Sequence, residues 1–166
     1  MGVVELKHGG GGRATSQLID IFAKYFDNDI LSGMEDSALL HMEGDMAFTT
    51  DSFVIEPYYF PGGDIGRLSV CGTVNDLVCR GARPLYLSSA LVIEEGFDIA
   101  DLERIAQSMA KAAGQAGAHI VTGDTKVVGK GHADGVYINT AGIGKIVIPG
   151  ISAHNAVPGD KVMVTG

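Results

Sequence analysis

Basic residues are scarce in this sequence: twelve lysines and arginines stand against twenty aspartates and glutamates, for a formal net charge of −8. That balance is a poor footprint for a nucleic-acid duplex or an anionic membrane surface, both of which select clustered lysine and arginine. An anionic ligand would instead have to be met by metal ions and backbone N–H groups. Cysteine is nearly absent. Cys71 and Cys79 lie eight apart in an apolar stretch, which matches neither a CxxC metal or redox spacing nor a disulfide framework, and both read as buried thiols. No run reaches eighteen apolar residues, and the start from Met1 to His8 lacks the long apolar segment of a signal peptide, so the expected location is the cytoplasm. HExxH and GxSxG are missing, which removes zinc-protease and serine-hydrolase chemistry.

What is present suits one ordinary globular domain. The chain has 166 residues, 46% of them hydrophobic and 19% charged, and a chain of this size buries a core without needing disulfides or a structural metal. Glycine is the outlier: the 24 glycines are about twice the average share, and they are clustered where backbone must turn sharply or approach a ligand. Apolar spacing predicts helices over Arg13–Phe26, Asp64–Arg80 and Asp98–Ala116, the last with Asp98 as N-cap and Gly117 as its stop. Gly66 and Gly72 lower the propensity of the middle helix and point to close packing. Strand-like runs fall at Ser37–Met42, Met46–Ile55, Leu85–Ile93, His119–Thr122 and Val136–Ile143. The order α-β-β-α-β-α-β-β predicts an α/β (α+β) fold, a mixed sheet with helices on one face. Residues 1–155 form the expected domain. Residues 156–166 read as a linker leading into the first strand, Lys161–Thr165, of something further, so the chain is expected to be one domain of a longer protein.

Three features could carry chemistry. His8-Gly9-Gly10-Gly11-Gly12 opens the first helix, where free backbone N–H groups could surround phosphate oxygens. It is no Walker loop, since Arg13-Ala14-Thr15 follows where a Lys-Ser/Thr pair is needed, and it fails GxGxxG at Ala14. A plain amino-terminal leader is the alternative. Second, Asp36, Asp51, Asp76 and Asp124 break apolar runs. Four aspartates converging on one sheet edge would suit a magnesium nucleotide, although each taken alone could be a turn residue or a helix cap. Asp76 is the sharpest of them, because Asn75-Asp76 interrupts an apolar helix where aspartate has poor propensity. Third, Lys126 follows Asp124 by two and could offer a point charge to phosphate. His41, His119, His132 and His154 fit no metal spacing, and Asp98, Asp101 and Glu103 suit the N-terminal end of their helix.

Taken together, His8–Gly12, Thr49-Thr50-Asp51-Ser52, Phe60-Pro61-Gly62-Gly63-Asp64-Ile65-Gly66, Val74-Asn75-Asp76-Leu77 and Thr122-Gly123-Asp124-Thr125-Lys126-Val127-Val128 resemble the HypE family of hydrogenase maturation. That family sits in the PurM-like superfamily with aminoimidazole ribonucleotide synthetase, selenophosphate synthetase and thiamine-monophosphate kinase. The resemblance implies a four-stranded sheet that pairs with a second copy into a central β-barrel, hence a homodimer. It implies ATP-dependent dehydration of a carboxamide on a carboxyl-terminal cysteine thiol to thiocyanate, whose cyanide goes to the iron of [NiFe] hydrogenase. The family's cysteine lies beyond this chain, so this half alone is expected to be inactive. Implied cofactors are ATP and Mg²⁺. Implied partners are the carbamoyltransferase HypF and the HypC–HypD iron-carrying complex. By position, Asp36, Asp51, Asp76 and Asp124 become metal and nucleotide ligands, Asn75 a supporting ligand, Gly9 to Gly12 a loop over the triphosphate, Lys126 a phosphate or substrate contact and His8 a loop anchor, the last two being the catalytic candidates. Competing expectations are a sister kinase or synthetase of the superfamily and a non-catalytic dimerisation module. A reactive cysteine near the glycine-rich start would favour selenophosphate synthetase, and none precedes Cys71.

Overall fold

The computed structural model describes residues 2–34 and 37–164. Aspartate and glycine set the helix boundaries. Helix α1 (Gly12–Tyr25) opens at its N-cap Gly11 and first residue Gly12, whose φ angles of 88° and 71° only glycine adopts readily. Helix α2 (Ile65–Cys79) begins where the Asp64 side chain accepts from the Arg67 N–H. Helix α3 (Ile99–Ala116) begins at Asp98, which accepts from the Ala100 N–H, and ends at left-handed Gly117. All three lie within a residue or so of the expected spans.

Strands β1 (Met46–Phe53), β4 (Ala82–Glu94), β5 (His119–Val128) and β6 (Val136–Ile146) form one sheet in the order β1-β6-β4-β5, while β2 (Tyr59–Phe60) and β3 (Gly63–Asp64) make a separate small hairpin. β6 is antiparallel to both β1 and β4, whereas β4 and β5 are parallel. A parallel pair needs a crossover, and α3 supplies it. The expected mixed sheet is therefore present. Leu87, Leu91 and Ile93 of β4 with Val136 and Ile138 of β6 are buried under Leu102, Ile105 and Met109 of α3. The opposite face presents Phe48, Tyr86, Val92, Tyr137, Ala141 and Ile143, and Phe48 is 70% exposed. Among the described residues no helix covers that face.

Several expectations need correction. Residues 37–42 form no strand. Ala38 and Leu40 instead border a hollow of about 210 Å³ with Phe48, Tyr86 and Ile143, so their alternation reports packing on the open sheet face without ladder hydrogen bonds. β5 runs on to Val128, six residues past its expected end, which places the Gly123–Lys126 motif inside a strand. Residues 161–164 carry no ladder in this chain, and their reading as the start of a strand in a further domain stays an expectation, since such a strand would have its partners there. Cys71 is half-buried and Cys79 is exposed at the end of α2, so the reading of both as buried thiols fails.

The glycines inside α2 are required by close approach. A Cβ at Gly66 would lie 2.6 Å from the Ile105 carbonyl oxygen of α3, and one at Gly72 would lie 2.7 Å from the Phe53 ring of β1. Gly66→Ala is therefore expected to lower the unfolding free energy by about 2 kcal/mol, overpacking outweighing alanine's better helix propensity. A urea midpoint at or above that of the parent would refute this.

Two tyrosines fasten the β2–β3 hairpin to α3. Tyr58 Oη donates to Asp101 Oδ2 at 3.1 Å, Tyr59 Oη donates to the Asp101 carbonyl at 2.9 Å, and the Arg104 guanidinium lies 4.2 Å from the Tyr59 ring centre. Burial pushes the Tyr59 phenol up to about 12, against the opposing pull of Arg104. Because the folded value exceeds the unfolded one of about 10, the neutral phenol's contribution to stability is complete below pH ~10 and falls as pH rises towards ~12. In a spectrophotometric titration, Tyr59→Phe should delete the latest-ionising phenol; loss of one that ionises near pH 10 would contradict the assignment.

Candidate functional site

The candidates fall into two groups at opposite edges of the sheet. On β1, alternation turns Thr49, Asp51 and Phe53 towards α2. Phe53 fills the space left by the missing Cβ of Gly72, and Asp51 Oδ2 would be 3.5 Å from that Cβ. Thr49 Oγ1 donates to Asp76 Oδ2 at 2.9 Å. Gly72 and Asp76 are one helical turn apart, so Asp51 and Asp76 stand beside successive turns of α2. Asn75 lies exposed on the same turn. Beneath them α2 is locked to β6 by a buried polar chain: Thr73 Oγ1 and Thr140 Oγ1 are 2.6 Å apart, and Thr140 Oγ1 donates to the Ser69 carbonyl at 3.0 Å. With the Thr140 proton committed there, Thr73 is the donor to Thr140.

The second group gathers on β5. Gly9 abuts that strand, since a Cβ on it would lie 3.0 Å from the Val127 Cβ. The preceding 3₁₀ turn, Leu6–Gly9, is closed by His8, which is buried and accepts from the Glu5 N–H through Nδ1 at 2.8 Å. The Gly11 N–H donates to Thr15 Oγ1 at 2.8 Å. Asp124 pairs with Ala90 and Lys126 with Val92 in the β4–β5 register, which puts both on the open face. There Lys126 Nζ lies 3.2 Å from Asp124 Oδ1, with both side chains exposed.

The structure thus joins Asp51 to Asp76, and the glycine run to the strand of Asp124 and Lys126, but it does not join the two groups within one chain. β1 and β5 are opposite edges, three strand spacings or about 14 Å apart, and Asp51 faces the helices while Asp124 faces away. Asp36 lies outside the described residues. None of Asp51, Asp76 and Asp124 caps a helix or turns a loop; they lie within β1, α2 and β5, so the structural roles common for aspartate do not account for them. Among the described residues no three of His, Cys, Asp and Glu gather into a metal-holding cluster. A carboxylate pair of this kind still suits Mg²⁺, which characteristically binds through one or two carboxylates plus substrate phosphates and keeps several waters. Sequence reasoning missed Thr49, Thr73 and Thr140, whose hydroxyls are set by a helix–sheet contact that no spacing reveals. Among the described residues no helix is long and apolar enough to cross a membrane.

Residues 34–146 match the family described as AIR synthase related protein, N-terminal domain, and the chain belongs to that family. Within it, the chain is 53% identical to the carbamoyl dehydratase HypE of Rhizobium leguminosarum bv. viciae over 99% of its own length and 48% of that protein. It is 46% identical to the carbamoyl dehydratase HypE of Escherichia coli K12 over its whole length and 52% of that protein. The chain spans about half the length of the curated relatives it matches. Among solved structures, HypE in complex with ATP superposes with a TM-score of 0.85 at 53% identity, over 87% of this chain and 43% of that one. HypE from a HypE–HypF complex gives 0.62 at 54% identity, over 80% and 43%. A thiamine-monophosphate kinase of Stenotrophomonas maltophilia, 24% identical with a TM-score of 0.58 over 76% and 40%, shares the fold.

Proposed function

We propose that this chain is the nucleotide-binding half of an ATP-dependent carbamoyl dehydratase of hydrogenase maturation. The observation that carries the proposal is the likeness to HypE in complex with ATP, at 53% identity along most of the chain. The site chemistry agrees with it. Asp51 and Asp76 would hold Mg²⁺ against the phosphates, and the loop Gly9 to Gly12 would cover the triphosphate at the start of α1, its Gly10 and Gly11 N–H groups turning to phosphate from the Lys7 carbonyl and Thr15 Oγ1 they now meet. Lys126, beside Asp124, would offer charge to a phosphate oxygen. In the full-length protein, ATP would activate the oxygen of a carboxamide carried on a cysteine thiol. That oxygen would leave with phosphate, the nitrogen would lose its protons, and a thiocyanate would remain.

The open sheet face belongs to the same proposal. Exposed apolar side chains such as Phe48, set among Thr50, Ser88 and Asn139 on the same face, call for a partner surface of mixed character, and a second copy placed across a twofold axis would cover it. The two candidate groups lie too far apart for one chain to close the site, so a second copy or the remaining half of the protein would complete it. HypF would deliver the carbamoyl group, a HypC–HypD complex would take the cyanide, and the cytoplasm is the matching compartment. Incubating full-length protein with ATP, Mg²⁺, the carbamoyl-transferring partner and that partner's carbamoyl donor should give a gain of one carbamoyl group and then loss of one water by intact mass. ATP consumption that phosphorylates a small molecule, with the carbamoyl adduct unchanged, would overturn the reading in favour of a sister kinase.

A further inference from the structure

We propose that Thr49 is a positioning residue for the metal-binding carboxylate, its hydroxyl holding Asp76 in the one orientation that serves the cation; this rests on the reading of Asp51 and Asp76 as Mg²⁺-nucleotide ligands. Asp76 lies exposed in the interior of α2, where aspartate has poor propensity and a free side chain would exchange among rotamers. Among the described residues the Thr49 hydroxyl, donating to Oδ2 at 2.9 Å, is its one hydrogen-bonding or ion-pairing partner. That bond leaves Oδ1 free for a ligand.

The donor stands on a rigid base. Thr49 lies inside β1 opposite Gly142 of β6, and β-branching restricts its χ1. Gly142 explains how α2 comes near enough: a Cβ there would lie 2.8 Å from the Thr73 methyl of α2. The missing side chain lets the helix settle on the sheet, the Thr73–Thr140 bond holds it there, and the Thr49 hydroxyl then reaches Asp76. A cation that demands near-octahedral oxygen geometry gains from a carboxylate already fixed, because the rotamer entropy is lost on folding and not on binding.

The test uses the full-length protein with Thr49→Val, Thr49→Ala, Thr49→Ser and Asp76→Asn, reading Mg²⁺-ATP affinity by calorimetry and Mn²⁺ binding in the presence of ATP by electron paramagnetic resonance. Valine and alanine should each weaken both about tenfold, serine should stay within about threefold of the parent, and the urea midpoints of the valine and serine variants should agree closely. Parental affinity in the valine and alanine variants, with Asp76→Asn weakened, would sink the positioning role and leave the site reading standing. Parental affinity in Asp76→Asn would sink both. A serine variant as weak as valine would assign the effect to the lost methyl group and overturn the role of the hydroxyl.

Discussion

Asp51→Asn and Asp76→Asn, each made in the full-length protein, are expected to weaken Mg²⁺-ATP binding by about thirtyfold, or roughly 2 kcal/mol. The substitution keeps shape and removes charge, so what is lost is the attraction of an ionised oxygen for a divalent cation. Neither fold nor core depends on these charges: both carboxylates are exposed, and among the described residues Asp51 accepts from the adjacent Ser52 N–H and Asp76 from Thr49. Without metal the order should reverse, since carboxylates facing a triphosphate repel it at close range and asparagine does not. The double variant should fall short of the summed losses if, as proposed, the two groups hold one cation. Calorimetry with and without Mg²⁺ decides the matter. Unchanged affinity in both single variants would reduce Asp51 and Asp76 to structural residues.

The helices were legible because their signals are local. Asp64 and Asp98 cap, Gly117 stops, and the apolar stripe of α3 has the period of a helix. The site was legible only in its residue types. Asp51, Asp76 and Asp124 stand out as charges within apolar runs, yet whether a strand residue faces helices or the open side depends on register, which follows from partners far along the chain. That is why the aspartates could be named while their division between two edges could not. The extended run around Leu40 shows the converse limit. Alternation identified a half-buried segment correctly and its hydrogen bonding wrongly, since period two reports burial on one side and says nothing of a neighbouring strand. The threonine chain from Thr73 to Thr140 was hidden for another reason. In sequence these are two ordinary β-branched residues 67 positions apart, and only the approach of α2 to β6, which the small Gly142 permits, makes them partners.

The open face yields the other large effect, through Ile143→Glu. Ile143 lies opposite Phe48 on one side and Tyr86 on the other, on the open sheet face beside the hollow that Ala38 and Leu40 border. In a lone chain the new carboxylate reaches water, so the fold should survive with little loss. In a face-to-face dimer the twofold axis brings a charge from each copy between Phe48 and Tyr86, while Lys126 and Lys145 of that face stand nearer its margins, and a carboxylate buried there unpaired costs about 4 kcal/mol or more. Dissociation should therefore rise by roughly a thousandfold, and the variant should sediment as a monomer where the parent is a dimer. Lys145→Glu, further along β6 and already exposed, places a glutamate nearer the rim with a larger change of charge and should still leave the dimer largely intact. If Ile143→Glu sediments as a dimer at the parent's concentration, the open face is not the interface. If the parent itself is a stable monomer at micromolar concentration, the barrel implied by the family does not form in this chain, and the apolar face must be covered by something other than a second copy.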